Sequence, residues 1–251
     1  MKKISRVVVV MVAAMVLLAL SIPAFASKAD DRIESAVKNT YVFKTYLKDD
    51  DVKVKSNDGV VTLTGTVAQE YHKSLANETA ANVSGVKSVD NQLEVKGEQP
   101  ADRSDAWLTA KVKTALLFHR NVSAMTEVST KDGVVTLKGE ADNQAEKDLT
   151  TEYAKDIEGV KGVNNMMTVA KTAKKKQTAI AKIDDASITA KVKVLLLYHR
   201  STSGLKTSIT TKNGVVTLTG KARNAAEKDL AAKYANDVNG VKSVNNRMTI
   251  E

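Results

Sequence analysis

Three stretches of this chain carry glycines at a spacing that invites a phosphate-binding reading. They are NDGVVTLTG at residues 57–65, KDGVVTLKG at 131–139 and KNGVVTLTG at 212–220. Backbone amides in a glycine-rich turn that opens a helix can cradle an anion. That chemistry is not completed here, because neither G-x-x-x-x-G-K-[ST] nor G-x-G-x-x-G occurs. A plain turn explains the first glycine of each phrase. Asp58-Gly59, Asp132-Gly133 and Asn213-Gly214 are hairpin dipeptides that tolerate positive φ between two antiparallel strands. The second glycines, Gly65, Gly139 and Gly220, read as bend or close-packing residues.

Other side chains with chemical potential lack companions. His119 and His199 stand at matching places in "FHR" and "YHR", where Lys44 stands in a weaker third copy. They read as polar caps at helix ends, facing the negative end of the dipole. His72 is isolated on a helix. Asp49, Asp50 and Asp51 lack the glycine and spaced ligands of a calcium loop and read as a solvated loop. The absence of cysteine excludes a thiol nucleophile, thiolate zinc sites, disulfides and lipid attachment through an N-terminal cysteine. No serine is tied to a histidine and an orienting carboxylate. The expectation is a protein with no catalytic residue, no cofactor and no metal.

The elements that position these residues repeat three times. Ile33, Val37 and Tyr41 recur every four residues, as do Leu108, Val112 and Leu116, and Ile188, Val192 and Leu196, which places an apolar stripe on a helix. Asp105 and Asp185 lie near the helix starts, where carboxylates favour the exposed amides. Two strands joined by the hairpin turn follow, then a second helix with Leu75, Thr79 and Val83 inward, or Leu149, Tyr153 and Ile157, or Leu230, Tyr234 and Val238. Gly85, Gly159 and Gly240 suit its left-handed C-terminal position. A last alternating strand carries Val89, Asn91, Leu93 and Val95, with counterparts at 163–169 and 244–250. The spacing predicts an α+β fold: three tandem small domains, each αββαβ, with two helices packed on one face of a three-stranded mixed sheet. The final strand should return parallel through a right-handed crossover.

The boundaries follow. Residues 1–26 have a basic start, an apolar run and an A-x-A-like end, and are expected to be a signal peptide cleaved after Ala26. The three domains are expected at 28–96, 104–170 and 184–251, with linkers at 97–103 and 171–183. Counting Lys and Arg against Asp and Glu gives 10 against 11, 8 against 10 and 11 against 6 for the domains, and 5 against 0 for the second linker. The last linker and domain together therefore reach +10, from 16 against 6, the strongest electrostatic signal in the chain.

The repeated DGVVTLxG hairpin, the Ala- and Glu-bearing helix and the phrase GVxxVxNxxxV resemble the BON domain family over nearly all of the mature chain. The resemblance implies a non-enzymatic envelope protein associated with osmotic or envelope stress, phospholipid-membrane contact and, in some members, chaperone-like binding of exported proteins.

The helix ends at 114–120 and 194–200 carry consecutive large apolar residues beside Arg120 and Arg200. Consecutive helical residues lie about 100° apart, so one stripe cannot bury them all. They read either as a broad buried face or as an interfacial patch with an apolar tip and basic rim. The candidate contact for lipid or partner comprises Lys174, Lys175, Lys176, Lys191, Leu195, Leu197, Tyr198, His199 and Arg200. The expected partner is the anionic phospholipid surface, or alternatively exported proteins. Nucleic acid is not expected, since export argues against it and aromatic stacking platforms are scarce. Localisation is expected to be periplasmic.

Overall fold

The computed structural model describes residues 24–97, 100–123, 125–170, 182–202 and 206–251. The expected signal peptide, up to residue 23, lies outside the described residues, as do Lys174, Lys175 and Lys176. Among the described residues, no helix is long and apolar enough to cross a membrane.

The first repeat runs α1 (Ala24–Lys38), α2 (Tyr41–Thr45), β1 (Asp51–Asn57), β2 (Val60–Val67), α3 (Glu70–Ala81) and β3 (Ser88–Val95). The second runs α4 (Asp105–Phe118), β4 (Glu127–Lys131), β5 (Val134–Lys138), β6 (Glu140–Ala141), α5 (Gln144–Lys155), β7 (Gly162–Asn165) and β8 (Thr168–Val169). The third runs α6 (Asp185–Tyr198), β9 (Thr207–Lys212), β10 (Val215–Ala222), α7 (Ala225–Asn236), β11 (Ser243–Asn246) and β12 (Thr249–Ile250). In each, the hairpin strands pair antiparallel and the last strand returns parallel to the second. The αββαβ order and mixed sheets are those read from the sequence. Three details differ from it, one being that the second strand of the second repeat is split into β5 and β6. The first repeat inserts the short helix α2, and the last strand of the second and third repeats is broken in two.

Two side-chain ties recur in every unit, and a third in the second and third repeats. The aspartate in the first helix reaches the hairpin turn instead of only facing its own helix end. Asp105 accepts from the amides of Asp132 (2.7 Å) and Gly133 (2.9 Å), and Asp185 from those of Asn213 (2.6 Å) and Gly214 (2.8 Å). Asp30 does the same with Asp58 and Gly59. The helix caps themselves are Ser104 and Asp184. On the last strand, the Asn91, Asn165 and Asn246 amides donate to carbonyls of Lys73, Lys147 and Lys228 on the second helix. In the second and third repeats, Asn143 and Asn224 cap the second helix, a favourable N-cap choice.

All nine glycines singled out above have φ between +80° and +122°. At Gly65 the need is doubled. It sits at φ +111°, and a Cβ there would lie 1.9 Å from the Asp51 carbonyl oxygen. At the matching Gly139, φ is +122° but the nearest atom, the Met125 carbonyl oxygen, is 3.4 Å away. Both alanine substitutions therefore carry backbone strain, and only Gly65→Ala also forces the β1–β2 backbones apart. Gly65→Ala is expected to cost about 2 kcal/mol or more and Gly139→Ala about 1 kcal/mol, read from urea midpoints of the whole chain. Equal costs would show that the carbonyl contact does not matter.

Candidate functional site

Of the described candidate residues, Lys191, Leu195, Leu197 and Tyr198 lie on α6 and His199 and Arg200 directly follow it, and α6 is covered on nearly every side. Ile188, Ala190, Lys191, Val192, Val194, Leu195 and Leu196 are all buried. A helix apolar all round belongs inside a protein, not at its surface. Its own sheet takes one face, while α3 of the first repeat and α4 of the second pack on others. The first repeat is also tied to its N-terminus. The free amides of α2 are capped across the repeats, Tyr41 donating to Asp184 Oδ2 (2.6 Å) and Val42 to Ser187 Oγ (3.0 Å). Phe118 at the end of α4 is buried edge-on to Tyr46 and Tyr71 of the first repeat.

This packing divides the candidate contact. Lys191, Leu195 and His199 are buried, so the expectation that they face a membrane is corrected. Lys191 Nζ donates to the Asn239 carbonyl at 2.7 Å and stands 5.4 Å from the Tyr41 ring centre. Burial pulls its pKa down to about 8, against the pull of Asp184 and with the push of Arg120. Leu197 is 45% exposed and the Arg200 side chain 51% exposed. Tyr198 is half-buried in a cleft of about 320 Å³ with Tyr71, Trp107 and Lys111. Burial, then Glu70 and Tyr71, raise its hydroxyl to about 12.

His119 and His199 are the C-cap residues of α4 and α6, as read from the sequence, but they are buried. Their side chains are 0% exposed and meet across the junction of the second and third repeats. His119 Nδ1 lies 2.8 Å from Asp237 Oδ2, and His199 Nδ1 lies 3.2 Å from Asp156 Oδ2. The two Nε2 atoms are 3.2 Å apart. Tyr153 donates its hydroxyl to Asp237 Oδ2 (2.9 Å) and Tyr234 donates to Asp156 Oδ2 (2.8 Å). The backbone follows the same reciprocity, Arg120 N donating to the Asp237 carbonyl and Arg200 N to the Asp156 carbonyl, each at 2.8 Å. One-residue antiparallel bridges join His119 to Val238 and Ile157 to His199. Each repeat thus gives the other the same patch, an isologous contact within one chain.

The charges in this junction are held by specific partners. Asp156 and Asp237 are the C-caps of α5 and α7, where a negative charge meets the negative end of a helix dipole. Burial works to raise the Asp156 pKa, but hydrogen bonds from His199, Ser201 and Tyr234 hold it below the usual range. Tyr153 and Tyr234 are pushed up, first by burial and then by the facing carboxylates. The Arg120 guanidinium donates to the carbonyls of Asn236, Val238 (3.0 Å) and Val241 (2.8 Å), closing the C-terminus of α7.

His72 is not isolated either. Its Nδ1 lies 2.5 Å from Asp50 Oδ2, and the Asp50 side chain is almost fully covered and accepts from the Ala68 amide at 2.7 Å. Asp50 is thus withdrawn from the solvated loop read for the three aspartates. Among the described residues, no group of three His, Cys, Asp or Glu side chains is placed to hold a metal.

Sequence reasoning did not single out Asp156 and Asp237, and it read Tyr153 and Tyr234 only as inner-face residues. A signal for them exists in the repeats. His119, Tyr153 and Asp156 recur together as His199, Tyr234 and Asp237, and the first repeat replaces all three at once, with Lys44, Thr79 and Asn82. Residues gained and lost together among copies are residues that meet in space.

Comparison with known proteins adds a family. The model of the BON domain matches residues 29–97, 104–171 and 184–251. Osmotically-inducible protein Y of Escherichia coli is 32% identical over 196 residues, covering 78% of this chain and 95% of that protein. The outer membrane lipoprotein DolP of Haemophilus influenzae is 30% identical over 138 residues, 53% of this chain and 71% of that protein. A solved structure of CdsD, a structural protein of the type III secretion system of Chlamydia trachomatis, aligns over 87% of this chain and 90% of its own, at 16% identity and a TM-score of 0.25.

The buried amine makes a measurable statement about α6. A lysine whose folded pKa lies below its unfolded value binds fewer protons folded than unfolded. Stability should therefore rise with pH between about 8 and the unfolded value near 10.5, by about 1 kcal/mol per unit. Lys191→Met keeps the aliphatic stem and should flatten most of that rise, leaving the smaller share of the half-buried Lys111, which burial also lowers. Urea titrations from pH 7.5 to 9.0, a full unit below the ordinary tyrosine value of about 10, check this, and a native chain with flat stability over that window would contradict the burial.

Proposed function

The chain belongs to the BON domain family, and from that premise we propose that it is an exported, non-enzymatic envelope protein of the osmotic-stress kind that binds anionic phospholipid surfaces peripherally. Two relatives support the setting by their names, one osmotically inducible and one an outer membrane lipoprotein. A periplasmic location agrees with the basic and apolar start of the chain and its small-residue end near Ala26.

The observation that carries the membrane reading is the charge asymmetry. Residues 171–251 hold 16 basic against 6 acidic side chains, while the first two repeats are slightly acidic. Near an anionic surface each Lys or Arg contributes on the order of 1 kcal/mol, and the attraction decays over a Debye length of about 8 Å at physiological salt. Lys174, Lys175 and Lys176 with Arg200 form the proposed contact, and Leu197 supplies an apolar edge. The buried Lys191, Leu195 and His199 take no direct part.

Sedimentation of the mature chain with phosphatidylglycerol-containing and phosphatidylcholine-only vesicles tests the proposal. Binding is expected to the anionic vesicles alone, and to fall as salt is raised. Changing Lys174, Lys175 and Lys176 to Gln should lower the partition coefficient at least about tenfold. Lys191→Met should leave it unchanged. Equal binding to both vesicle types would defeat the proposal.

A further inference from the structure

We propose that the junction of the second and third repeats is a proton-binding site, which holds one proton between Nε2 of His119 and Nε2 of His199 and is most firmly closed when it holds that one. The inference starts from what the neighbours can accept. A carboxylate only accepts hydrogen bonds. Asp237 Oδ2 faces His119 Nδ1 at 2.8 Å and Asp156 Oδ2 faces His199 Nδ1 at 3.2 Å, so each Nδ1 carries a hydrogen. A neutral imidazole then has a bare lone pair on Nε2. Two such lone pairs would point at each other across 3.2 Å, in a place without solvent exposure. One proton turns that repulsion into an N–H···N hydrogen bond. A second proton would set two imidazolium ions against each other.

The surroundings favour one positive charge. The groups facing the pair are the carboxylates of Asp156 and Asp237, the neutral hydroxyls of Tyr153 and Tyr234, and Ser201 and Asn121, which donate to Asp156 and Asp237. Arg120 is turned to the α7 carbonyls, and Arg200 lies 3.7 Å from Asp156 Oδ1. Glu152 is felt at Tyr234. Two buried carboxylates at helix C-termini gain from a cation between them. Burial, and the charge of His199, resist protonation of His119, whose pKa falls to about 4 despite the hydrogen bond to Asp237. Imidazoles braced by carboxylates also occur as metal ligands. Here only two ligating nitrogens converge and, among the described residues, no larger donor set surrounds them, so the proton is the ligand that fits.

Linkage gives a signature that a merely structural pair of histidines lacks. Separated, both imidazoles titrate near the ordinary value of about 6.5. Above that pH the open form holds neither proton and the closed form holds one, so closure weakens as pH rises. Below it the open form holds two and the closed form still one, so closure weakens as pH falls toward about 4. The closure constant should peak near pH 6.5 and fall about tenfold per pH unit on each side.

The chain has no cysteine, so Lys138→Cys and Lys221→Cys, both at exposed positions, place a fluorophore pair on the two repeats of the full mature chain. Energy transfer in mild urea between pH 5 and 8 reads the closure constant. A maximum near 6.5 is expected. His199→Gln presents an amide N–H to His119 Nε2 without a titrating proton, so the alkaline limb should vanish while the acid limb remains. Circular dichroism confirms that the sheets persist in that variant. The native chain alone can overturn the proposal, through a flat or monotonic profile, through imidazole ¹⁵N spectra showing no Nε2 proton at pH 6.5, or through one equivalent of tightly bound metal in the purified protein.

Discussion

Leu195, Leu196 and Leu197 follow one another on α6, and a helix turns about 100° between them. A two-layer unit offers a helix only one covered face, so an isolated third repeat would leave much of this apolar surface in water. Each buried leucine is worth about 2 kcal/mol relative to its exposed state. With its own sheet on one face and α3 and α4 on others, α6 keeps both Leu195 and Leu196 buried, leaving only Leu197 of the three half in solvent. Repeats of about 70 residues bury modest cores on their own. The same docking supplies each of them with apolar contacts its own sheet does not provide.

Burial of so many sides of one helix obliges every polar group taken in to find a partner. Lys191 finds a carbonyl, Asp184 and Ser187 find the first amides of α2, and the paired histidines find carboxylates. Left unpaired, a buried polar group costs about 1–3 kcal/mol. Thr79 Oγ1 stands alone among the described residues as a buried side-chain atom with no hydrogen-bond partner. It occupies the position where the other repeats place the tyrosines of the histidine network, and the first repeat has no part in that network.

The elements were legible because their signals are local. Asp58-Gly59 marks a turn, Ile188, Val192 and Leu196 mark a stripe, and Gly85 marks a helix end, all without reference to distant residues. The candidate site was legible only in part, because its fate depended on what packs against it. The three consecutive leucines were rightly seen as too many for one stripe. The sequence left a broad buried face and an interfacial patch both open, and the structure buries Leu195 and Leu196 on a helix packed by the neighbouring repeats. His119 and His199 were legible as helix caps but their partners were not, for the same reason, since Asp237 and Asp156 lie 118 and 43 residues away in the chain.

Spending the apolar helix ends on internal docking changes what kind of adhesion remains open to this protein. A helix that inserts its apolar face into lipid gains from the apolar area it buries. With Leu195, Leu196 and Phe118 buried, the closed molecule has little such area to offer at these ends. What it has is an uneven charge, about −1 and −2 on the first two repeats against +10 on the last linker and repeat. Such a molecule is a large dipole. An anionic surface would attract the third repeat and push weakly on the other two, so the charge sets orientation as well as affinity. Because screening is short-ranged, that orienting force acts only near contact, and while the repeats stay docked the orientation of one is carried to all three.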